Sequence, residues 1–241
     1  MTRVALVTGA AGDIGKACAI ALEAQGLRVI RLDRNLPEQA APTDWIACDL
    51  ADPKAVTDAI AAITADPGRL DVVVNVAGIN HRATLQDILV EDWTRMLEVN
   101  VGGMFLILRA CRTLLERGKD PAVVNMSSIS GHVASADYPA YVATKAAVEG
   151  LTKALALEWA TAGIRVNAVA PGWVEAGFTR AALSTSPDPA ALFDAARRAH
   201  LLGRMAQPGE VAEAVAFLAS PASVGTSGAV LFVDGGLMRV H

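Results

Sequence analysis

Seven short apolar segments are separated by stretches of helical periodicity, and this alternation constrains the fold more than any other feature of the sequence. Most of the segments are nearly continuous in valine, isoleucine, leucine and alanine, which is typical of parallel strands that are covered on both faces. They are residues 3–8, 27–33, 45–49, 71–78, 122–128, 164–171 and 228–236. Helices are expected at 14–25, 53–64, 91–117, 138–162 and 208–219. The pattern predicts one domain over 1–241, a doubly wound α/β fold with a mostly parallel seven-stranded sheet and helices on both faces.

One stretch, residues 172–207, contains helical pieces around "STSPDPAA" and no expected strand. A long insertion of this kind in a compact domain is usually a lid or a substrate loop. The net charge of -4 argues against a nucleic-acid partner. The three cysteines and four histidines form no metal pattern, and no apolar run reaches transmembrane length. We therefore expect a cytoplasmic protein with a small-molecule ligand, and no metal, nucleic acid or membrane.

The stretch "TGAAGDIG", residues 8–15, directly follows the first expected strand. Glycines at 9, 12 and 15 let the backbone approach a ligand closely. The unpaired N–H groups at the start of the following helix attract an anion such as a phosphate. A strand-to-helix turn without any ligand uses glycine as well, so the loop alone leaves both interpretations open.

The loop resembles the T-G-x-x-x-G-x-G loop of the short-chain dehydrogenase/reductase family, which has a Rossmann fold, but Asp13 stands in place of the middle glycine. Our hypothesis is that Asp13 caps the first helix with its carboxylate turned away from the phosphates. Asp33 ends the second strand 18 residues after Gly15. An acid near this position holds both ribose hydroxyls of NAD and repels a 2′-phosphate. Arg34 is the exception to this argument, since an arginine there can pair with a 2′-phosphate.

The stretch around residues 125–150 carries the expected proton chemistry. Tyr141 and Lys145 are four residues apart on an expected helix and share one face. A nearby ammonium lowers the pKa of a phenol from about 10, and such a phenol can exchange a proton with an alcohol or a carbonyl. Ser128 lies 13 residues before Tyr141 and matches the serine with which the family bonds the substrate oxygen; Ser127 is the alternative by adjacency. Asn100 matches the asparagine that holds a water beside the lysine in the family.

The resemblance covers essentially the whole chain and implies a larger set of site residues. It assigns Asn100, Ser128, Tyr141 and Lys145 to catalysis. The implied cofactor positions are Gly9, Gly12, Asp13, Ile14, Gly15, Asp33, Arg34, Asp49, Leu50, Asn75, Ala77, Gly78, Tyr141, Lys145, Pro171, Gly172 and Val174. The implied substrate positions are Ser128, Ser130, His132, Tyr138, Tyr141 and Trp173. Ala176 stands where the family commonly has a threonine that bonds the nicotinamide carboxamide, and Thr179 is the nearest hydroxyl that can replace it.

Two further features have open interpretations. Arg197, Arg198, His200 and Arg204 form a basic cluster, which we interpret as a solvated helix face, with a grip on an anionic substrate as the alternative. Small residues along one side of the helix at 138–162 fit either packing on the sheet or close approach of another helix. The family commonly uses this helix and the one at 98–117 for a dimer contact, and the resemblance implies a homotetramer.

The resemblance implies an oxidoreductase that transfers a hydride between NAD(H) and a secondary alcohol or ketone, such as a sugar, a polyol or a hydroxy acid. One alternative is a 3-oxoacyl-carrier-protein reductase, which usually takes NADPH and needs a basic patch for its acidic carrier. A second is a non-catalytic NAD sensor on the same fold, a class that tends to lose the tyrosine or the lysine; both are present here.

Overall fold

All seven expected strands form one parallel sheet. A computed structural model describes residues 2–38, 44–134, 136–184 and 188–239. The strands are β1 (Val4–Thr8), β2 (Arg28–Asp33), β3 (Trp45–Ala47), β4 (Val72–Asn75), β5 (Ala122–Met126), β6 (Arg165–Pro171) and β7 (Val230–Val233). Their order is β3-β2-β1-β4-β5-β6-β7, and every neighbouring pair is parallel. The doubly wound sheet is confirmed, and among the described residues it is wholly rather than mostly parallel.

Eight α-helices connect or flank the described strands. They are α1 (Asp13–Ala24), α2 (Pro53–Ala65), α3 (Val90–Leu97), α4 (Met104–Glu116), α5 (Pro139–Glu158), α6 (Gly177–Ser184), α7 (Pro189–Ala199) and α8 (Pro208–Ala219). Local sequence explains where several begin. At α2, for example, the Asp52 carboxylate accepts a hydrogen bond of 2.8 Å from the Lys54 N–H, and Pro53 occupies the first helical position. No helix in the described ranges is long and apolar enough to cross a membrane.

The sheet separates two apolar layers. Alternate residues of β1 face opposite sides: Leu6 packs in one layer, and Ala5 and Val7 pack in the other. Helices α2, α4 and α5 cover the first side, and α1 and α8 cover the second. Because both faces are buried, the strands read as continuous apolar runs in the sequence.

Several strands end earlier than the apolar runs predict. The runs extend to residues 78, 128 and 236, whereas β4, β5 and β7 end at Asn75, Met126 and Val233. Apolar composition reports burial, and these segments stay largely buried or half-buried after the ladder of backbone hydrogen bonds has ended. The residues that follow β4 and β5 therefore have irregular backbone at the carboxyl edge of the sheet, where open α/β sheets bind their ligands.

The helix expected over 91–117 is not uniform. It contains α3 and α4, joined by a π-helical segment at Glu98–Gly103 with Asn100 inside it. Hydrophobic periodicity does not reveal such a widened turn, since the apolar face continues on both sides of it. Single π-turns inside α-helices are often found at functional sites.

The 172–207 segment carries α6 and α7 and no strand among its described residues. Its two ends meet in an isolated parallel bridge between Val174 and Ala206. The Glu175 N–H donates to the Ala206 carbonyl at 2.8 Å, and the Ala206 N–H donates to the Trp173 carbonyl at 3.0 Å. The segment is therefore a long loop whose two ends lie side by side at the carboxyl edge of the sheet.

Candidate active site

A cavity of about 700 Å³ lies at the carboxyl ends of the strands, across the point where the strand order reverses between β1 and β4. Nearly all the site residues expected from the sequence line it. The exceptions are Asn75, Asn100 and His132. The cavity runs from the glycine loop and the end of β2 to the irregular residues after β5 and the start of the 172–207 segment. Ligands of doubly wound folds bind at this place.

The glycine loop has the shape of an anion cradle. Gly9 has a φ of +66°, and a Cβ there would lie 2.7 Å from the Ala77 backbone. A Cβ on Gly15 would overlap the Gly9 carbonyl. Gly12 is the residue before α1, so the first N–H groups of the helix have no partner within it. Together with the cavity that the loop lines, this geometry fits the pyrophosphate of a dinucleotide.

Asp13 does not cap α1, contrary to our hypothesis. It is the first residue of the helix, and the capping position belongs to Gly12, which makes no side-chain cap bond. The Asp13 carboxylate instead accepts a hydrogen bond of 2.6 Å from the N–H of Gly177, the first residue of α6. Arg180 lies 3.9 Å from the same oxygen. The Asp13 side chain therefore bonds across the cavity rim instead of to the N–H groups of its own helix.

Asp33 lies at the end of β2 and lines the cavity. Its two carboxylate oxygens accept from the Ala11 N–H at 2.9 Å and the Asn35 N–H at 3.0 Å. These bonds fix the carboxylate beside the glycine loop. Arg34 lines the same end of the cavity with an exposed side chain.

Asp49 forms an ion pair with Arg95 at 2.8 Å, and both residues line the cavity. Burial acts to raise the pKa of Asp49. A hydrogen bond from the Ala51 N–H and the Arg95 guanidinium outweigh burial and hold the pKa below its usual value. Arg95 was not expected from the sequence. The only sequence feature that points to it is a basic residue on α3, the helix that faces Asp49 after the end of β3.

Asn75 does not line the cavity. It is the last residue of β4, and its side chain is buried between strands, where it donates to the Asn125 side chain at 2.9 Å. The parallel register places these two asparagines side by side. Asn75 therefore supports the sheet behind the cavity, and Ala77 and Gly78, two and three residues later, form the wall.

Tyr141, Lys145 and Ser128 come together at the opposite end of the cavity. Tyr141 and Lys145 occupy one face of α5, with the Lys145 Nζ 5.5 Å from the centre of the Tyr141 ring. The Lys145 ammonium donates to the Met126 carbonyl at 2.8 Å. Ser128 lies close enough to Tyr141 for its hydroxyl to act on the pKa of the phenol. The end of β5 and the residues directly after it thus approach two residues one turn apart on α5.

The surroundings shift the pKa values of both titratable groups. Burial raises the pKa of Tyr141, and the hydrogen bond with Ser128 acts in the opposite direction but is outweighed. Burial lowers the pKa of Lys145 to about 8. The sequence led us to expect a lowered pKa for Tyr141. That expectation is wrong for the protein alone, because the apolar surroundings disfavour the phenolate and Lys145 bonds a carbonyl instead of the phenol oxygen.

Asn100 lies behind Gly78 and Lys145, which line the cavity. Its Oδ1 accepts from the Ile79 N–H at 2.8 Å, and its Nδ2 donates to the Ile79 carbonyl at 2.9 Å and to the Thr144 hydroxyl at 3.1 Å. A Cβ on Gly78 would lie 3.3 Å from the Asn100 Oδ1 and 3.7 Å from the Lys145 Nζ. Asn100 and Lys145 therefore face one small space beside Gly78.

His132 points away from the cavity, contrary to the substrate role expected for it. The short 3₁₀ turn at Ile129–Gly131 carries the chain outward, and the His132 Nε2 lies 2.6 Å from the Glu149 Oε2. The other oxygen of this buried carboxylate accepts from the Ser127 hydroxyl at 2.7 Å. This bond favours Ser128 over Ser127 as the serine beside the substrate oxygen, because the Ser127 hydroxyl already donates to Glu149 and Ser128 faces Tyr141. Glu149 was missed, although its i+4 spacing from Lys145 placed it on the reactive face of the helix.

Five further residues without charge line the cavity near Tyr141. We define the substrate side as Asn80, Ser130, Tyr138, Trp173 and Phe178, all of which line the cavity. The ring of Phe178 lies 6.1 Å from that of Tyr141, and the ring of Tyr138 lies 6.0 Å from it. The Asn80 amide donates to the Tyr138 hydroxyl at 3.3 Å. Sequence reasoning missed Asn80 and Phe178, because only the folded chain brings them to the tyrosine.

Ala176 and Thr179 both line the cavity and are almost fully buried. The Thr179 hydroxyl is therefore available near the position where Ala176 offers no polar group. Trp173 is tied to His200: the His200 Nε2 accepts from the Trp173 N–H at 3.2 Å, and the Nδ1 lies 2.7 Å from the Ala196 carbonyl.

The basic cluster does not reach the cavity. Arg197 and Arg198 are exposed on α7, which agrees with a solvated face. Arg204 makes two hydrogen bonds of 2.7 Å to Glu210. His200 is an exception to the solvated face, since it is buried beside Trp173. None of the four lines the cavity.

The sequence and the fold of this chain are similar to those of known dehydrogenases and reductases. Residues 9–238 match a family model described as enoyl-(acyl carrier protein) reductase. D-threitol dehydrogenase of Mycolicibacterium smegmatis is 38% identical over 245 residues, which cover 97% of this chain and 92% of the relative. Cis-4-hydroxycyclohexanecarboxylate dehydrogenase of Sinomonas cyclohexanicum is 39% identical over 248 residues, covering 99% and 97%. The ligand-free aldohexose dehydrogenase of Thermoplasma acidophilum superimposes with a TM-score of 0.92 at 34% identity, covering 99% and 94%.

The chain belongs to the short-chain dehydrogenase/reductase family. As a member it is an oxidoreductase that acts on CH–OH groups, and the family uses a nicotinamide cofactor. The glycine cradle, the acid at the end of β2 and the tyrosine at the far end of the cavity fit the two ends of such a cofactor.

Proposed function

We propose that this short-chain dehydrogenase/reductase oxidises neutral polyols or sugars with NAD+, and reduces the corresponding ketones with NADH. The observation that carries the proposal is the contact of Ser128, Tyr141 and Lys145 in one cavity with a substrate side that has no charged side chain among its five defined residues. None of these five residues offers a cation that would replace the lost hydration of a carboxylate or phosphate on the substrate. The Arg82 guanidinium lies behind this side, 5.3 Å from the centre of the Tyr138 ring, and faces the Asp137 carboxylate at 3.8 Å.

The roles follow from the geometry. The substrate oxygen binds between the Ser128 hydroxyl and the Tyr141 phenol. Bound NAD+ supplies the acceptor for the hydride that leaves the carbinol carbon. Tyr141 takes the hydroxyl proton in the same step, so that the alcohol loses two electrons and two hydrogens and becomes a ketone. With the cofactor bound, Lys145 would stabilise the phenolate that this requires, although in the protein alone its ammonium bonds the Met126 carbonyl. The space shared with Asn100 beside Gly78 would be the start of the path by which the proton leaves.

Cofactor binding is assigned to the residues that line the cavity. Gly12, which precedes α1, and the first turn of α1, with Ile14 and Gly15, would hold the pyrophosphate. Leu50 and Asp49 would border the adenine. Pro171, Gly172 and Val174 would flank the nicotinamide, with Thr179 as the hydroxyl for its carboxamide. The 172–207 segment, which carries Thr179, would act as the substrate lid.

Asp33 is the basis for NAD rather than NADP. Its carboxylate is fixed by two backbone N–H groups at the end of β2, where it would accept from the ribose hydroxyls. A 2′-phosphate would meet this charge. We expect Asp33→Asn to raise kcat/KM for NADP+ relative to NAD+ by about tenfold or more, measured by absorbance of the reduced cofactor. An unchanged ratio would contradict this role of Asp33.

Substrate charge is tested with matched pairs. Turnover with NAD+ is compared for D-threitol and threonate, which differ by one carboxylate, and then for galactitol, glucose and cis-4-hydroxycyclohexanecarboxylate. We expect kcat/KM for the neutral member of the pair to exceed that of the acid at least tenfold. Tyr141→Phe should abolish turnover and keep NADH binding. A preference for the acids would contradict the neutral pocket, and activity in the Tyr141→Phe protein would contradict the mechanism. NADH binding without turnover of any alcohol would favour the sensor.

We propose that the enzyme is a cytoplasmic homotetramer. The small residues of α5, including Ala143, Gly150 and Ala154, are exposed and do not pack on the sheet. Leu157 on the same helix is 82% exposed, and Phe105 on α4 is 47% exposed. These neighbouring apolar faces have the composition of a helix-to-helix contact between subunits. All three cysteines are free and buried, as suits a reducing compartment.

A further inference from the structure

One contact joins two parts of the cavity rim that are 164 residues apart in the chain. The Asp13 Oδ2 accepts the 2.6 Å hydrogen bond from the Gly177 N–H and lies 3.9 Å from the Arg180 guanidinium. Gly177 begins α6, and the residue before it, Ala176, has no side-chain acceptor. The first N–H of a helix needs a partner from outside the helix. For α6 that partner comes from the glycine loop, in the manner of a helix cap supplied from a distance.

The capped helix carries residues onto the reactive end of the cavity. Phe178 follows Gly177 directly, and its ring lies 6.1 Å from the Tyr141 ring. Thr179 is 7% exposed and lines the cavity. The position of both side chains depends on where α6 starts, and the Asp13 bond fixes that start. The family pattern has glycine at this place in the loop, and a glycine has no acceptor with which to make the bond.

We propose that Asp13 is a positioning residue, which acts through the N-terminus of α6 to hold Phe178 and Thr179 over the site of hydride transfer. This inference rests on the proposed function for the meaning of the site, but the contact itself is testable without a substrate. Asp13 thereby couples the loop that would hold the cofactor to the helix that would close over the alcohol.

Charge and capping have to be separated, because a carboxylate beside a pyrophosphate also repels it. Asp13→Asn and Asp13→Ala remove the same charge, but only asparagine keeps an oxygen that can accept from the Gly177 N–H, and asparagine is among the best capping residues. Any difference between these two variants therefore reports the cap. Asp52→Ala serves as the control, since it removes an aspartate cap of the same kind from α2, on a residue that does not line the cavity.

Limited trypsin digestion gives the readout that needs no substrate. Cleavage after Arg180 requires α6 to open, and its rate is followed by mass spectrometry. We expect cleavage at least threefold faster in Asp13→Ala than in Asp13→Asn, and wild-type rates at Arg180 in Asp52→Ala. Equal rates in the two Asp13 variants would overturn the cap and assign any effect to the Arg180 ion pair or to charge.

Kinetics give the second readout. With the best alcohol from the substrate panel, we expect a KM for the alcohol about fivefold higher in Asp13→Ala than in Asp13→Asn, the size expected for the loss of one helix cap. NADH should also dissociate faster from Asp13→Ala in stopped-flow displacement. Equal KM values and equal NADH release would overturn the positioning role. If no alcohol is turned over, the proposed function fails, and the trypsin and NADH results still decide the role of Asp13.

Discussion

The Lys145 side chain is buried, and its ammonium makes one hydrogen bond, to the Met126 carbonyl. Its pKa falls from 10.5 to about 8 through desolvation. Between about pH 8 and 10.5 the unfolded chain holds a proton on this lysine that the folded chain has lost. The contribution of Lys145 to stability therefore rises with pH across that window, because at this site the unfolded state binds more protons.

We expect this rise to disappear in Lys145→Met. Relative to that variant, the wild-type free energy of unfolding should increase by about 3 kcal/mol between pH 7.5 and 10.5, since one pKa unit corresponds to about 1.4 kcal/mol. Urea unfolding at a series of pH values measures the difference. The exposed Lys153→Met is the control and should follow the wild type. Parallel curves for wild type and Lys145→Met would contradict the depressed pKa.

Residue spacing along the chain predicted that Tyr141 and Lys145 share one face of a helix, but not the direction of the Tyr141 pKa shift or the partner of Asp13. The spacing of four on a helix is a local property, so it can be read before folding. The pKa depends on how much apolar matter surrounds the phenol, and the bond to Gly177 joins residues 164 positions apart. The predicted cavity positions of His132 and Asn75 were wrong for the same reason. His132 pairs with Glu149 and Asn75 bonds Asn125, and only the folded chain brings these partners together.

At the scale of elements, the π-helical segment at Glu98–Gly103 determines what Asn100 can reach. The widened turn lets its amide hold both the N–H and the carbonyl of Ile79, and also the Thr144 hydroxyl of α5. One side chain thus connects the strand end after β4 with the helix that carries Tyr141. A regular α-helix over the same residues would turn Asn100 to a different angle.

We expect Asn100→Ala to lower kcat by about 100-fold, because Ile79 and α5 lose their common clamp and the proton path loses one wall. Stability should fall by roughly 2–3 kcal/mol, from about 1 kcal/mol for each buried hydrogen bond. Asn167→Ala is the matched control: Asn167 also clamps backbone, with bonds to the Thr226 carbonyl and the Ala229 N–H, but does not line the cavity. Equal kcat values in the two variants would reduce Asn100 to a structural role.

The order of strands and helices could be predicted from the sequence, whereas the residues at which the strands end could not. Burial on both faces produces the apolar runs, so β1 to β7 are all visible in the sequence. The same burial continues past Asn75 and Met126, and the runs therefore hide where the ladders stop and the cavity wall begins. The break in the helix at 91–117 left no trace in the periodicity either.

At the scale of the whole molecule, the exposed faces of α4 and α5 bear on assembly. We expect the wild type to sediment as a tetramer at micromolar concentration and Leu157→Glu to sediment as smaller species, because a charge would replace an apolar side chain in the contact. Leu89→Glu is the control, since Leu89 is 62% exposed before α3 and outside this face. A wild-type monomer, or a tetramer in Leu157→Glu, would refute this interface.

The bridge that joins the two ends of the 172–207 segment has a consequence for how the sequence of such an enzyme evolves. Because Val174 and Ala206 meet in one bridge, the chain leaves the sheet and returns to it at nearly the same point. Lengthening a loop between fixed ends costs little free energy, roughly 0.6 kcal/mol for each doubling of its length. Insertions and exchanges there leave Ser128, Tyr141 and Lys145 on elements that do not move. Under the proposed function, changes within this segment would alter the substrate that is accepted, while Ser128, Tyr141 and Lys145 are inherited unchanged.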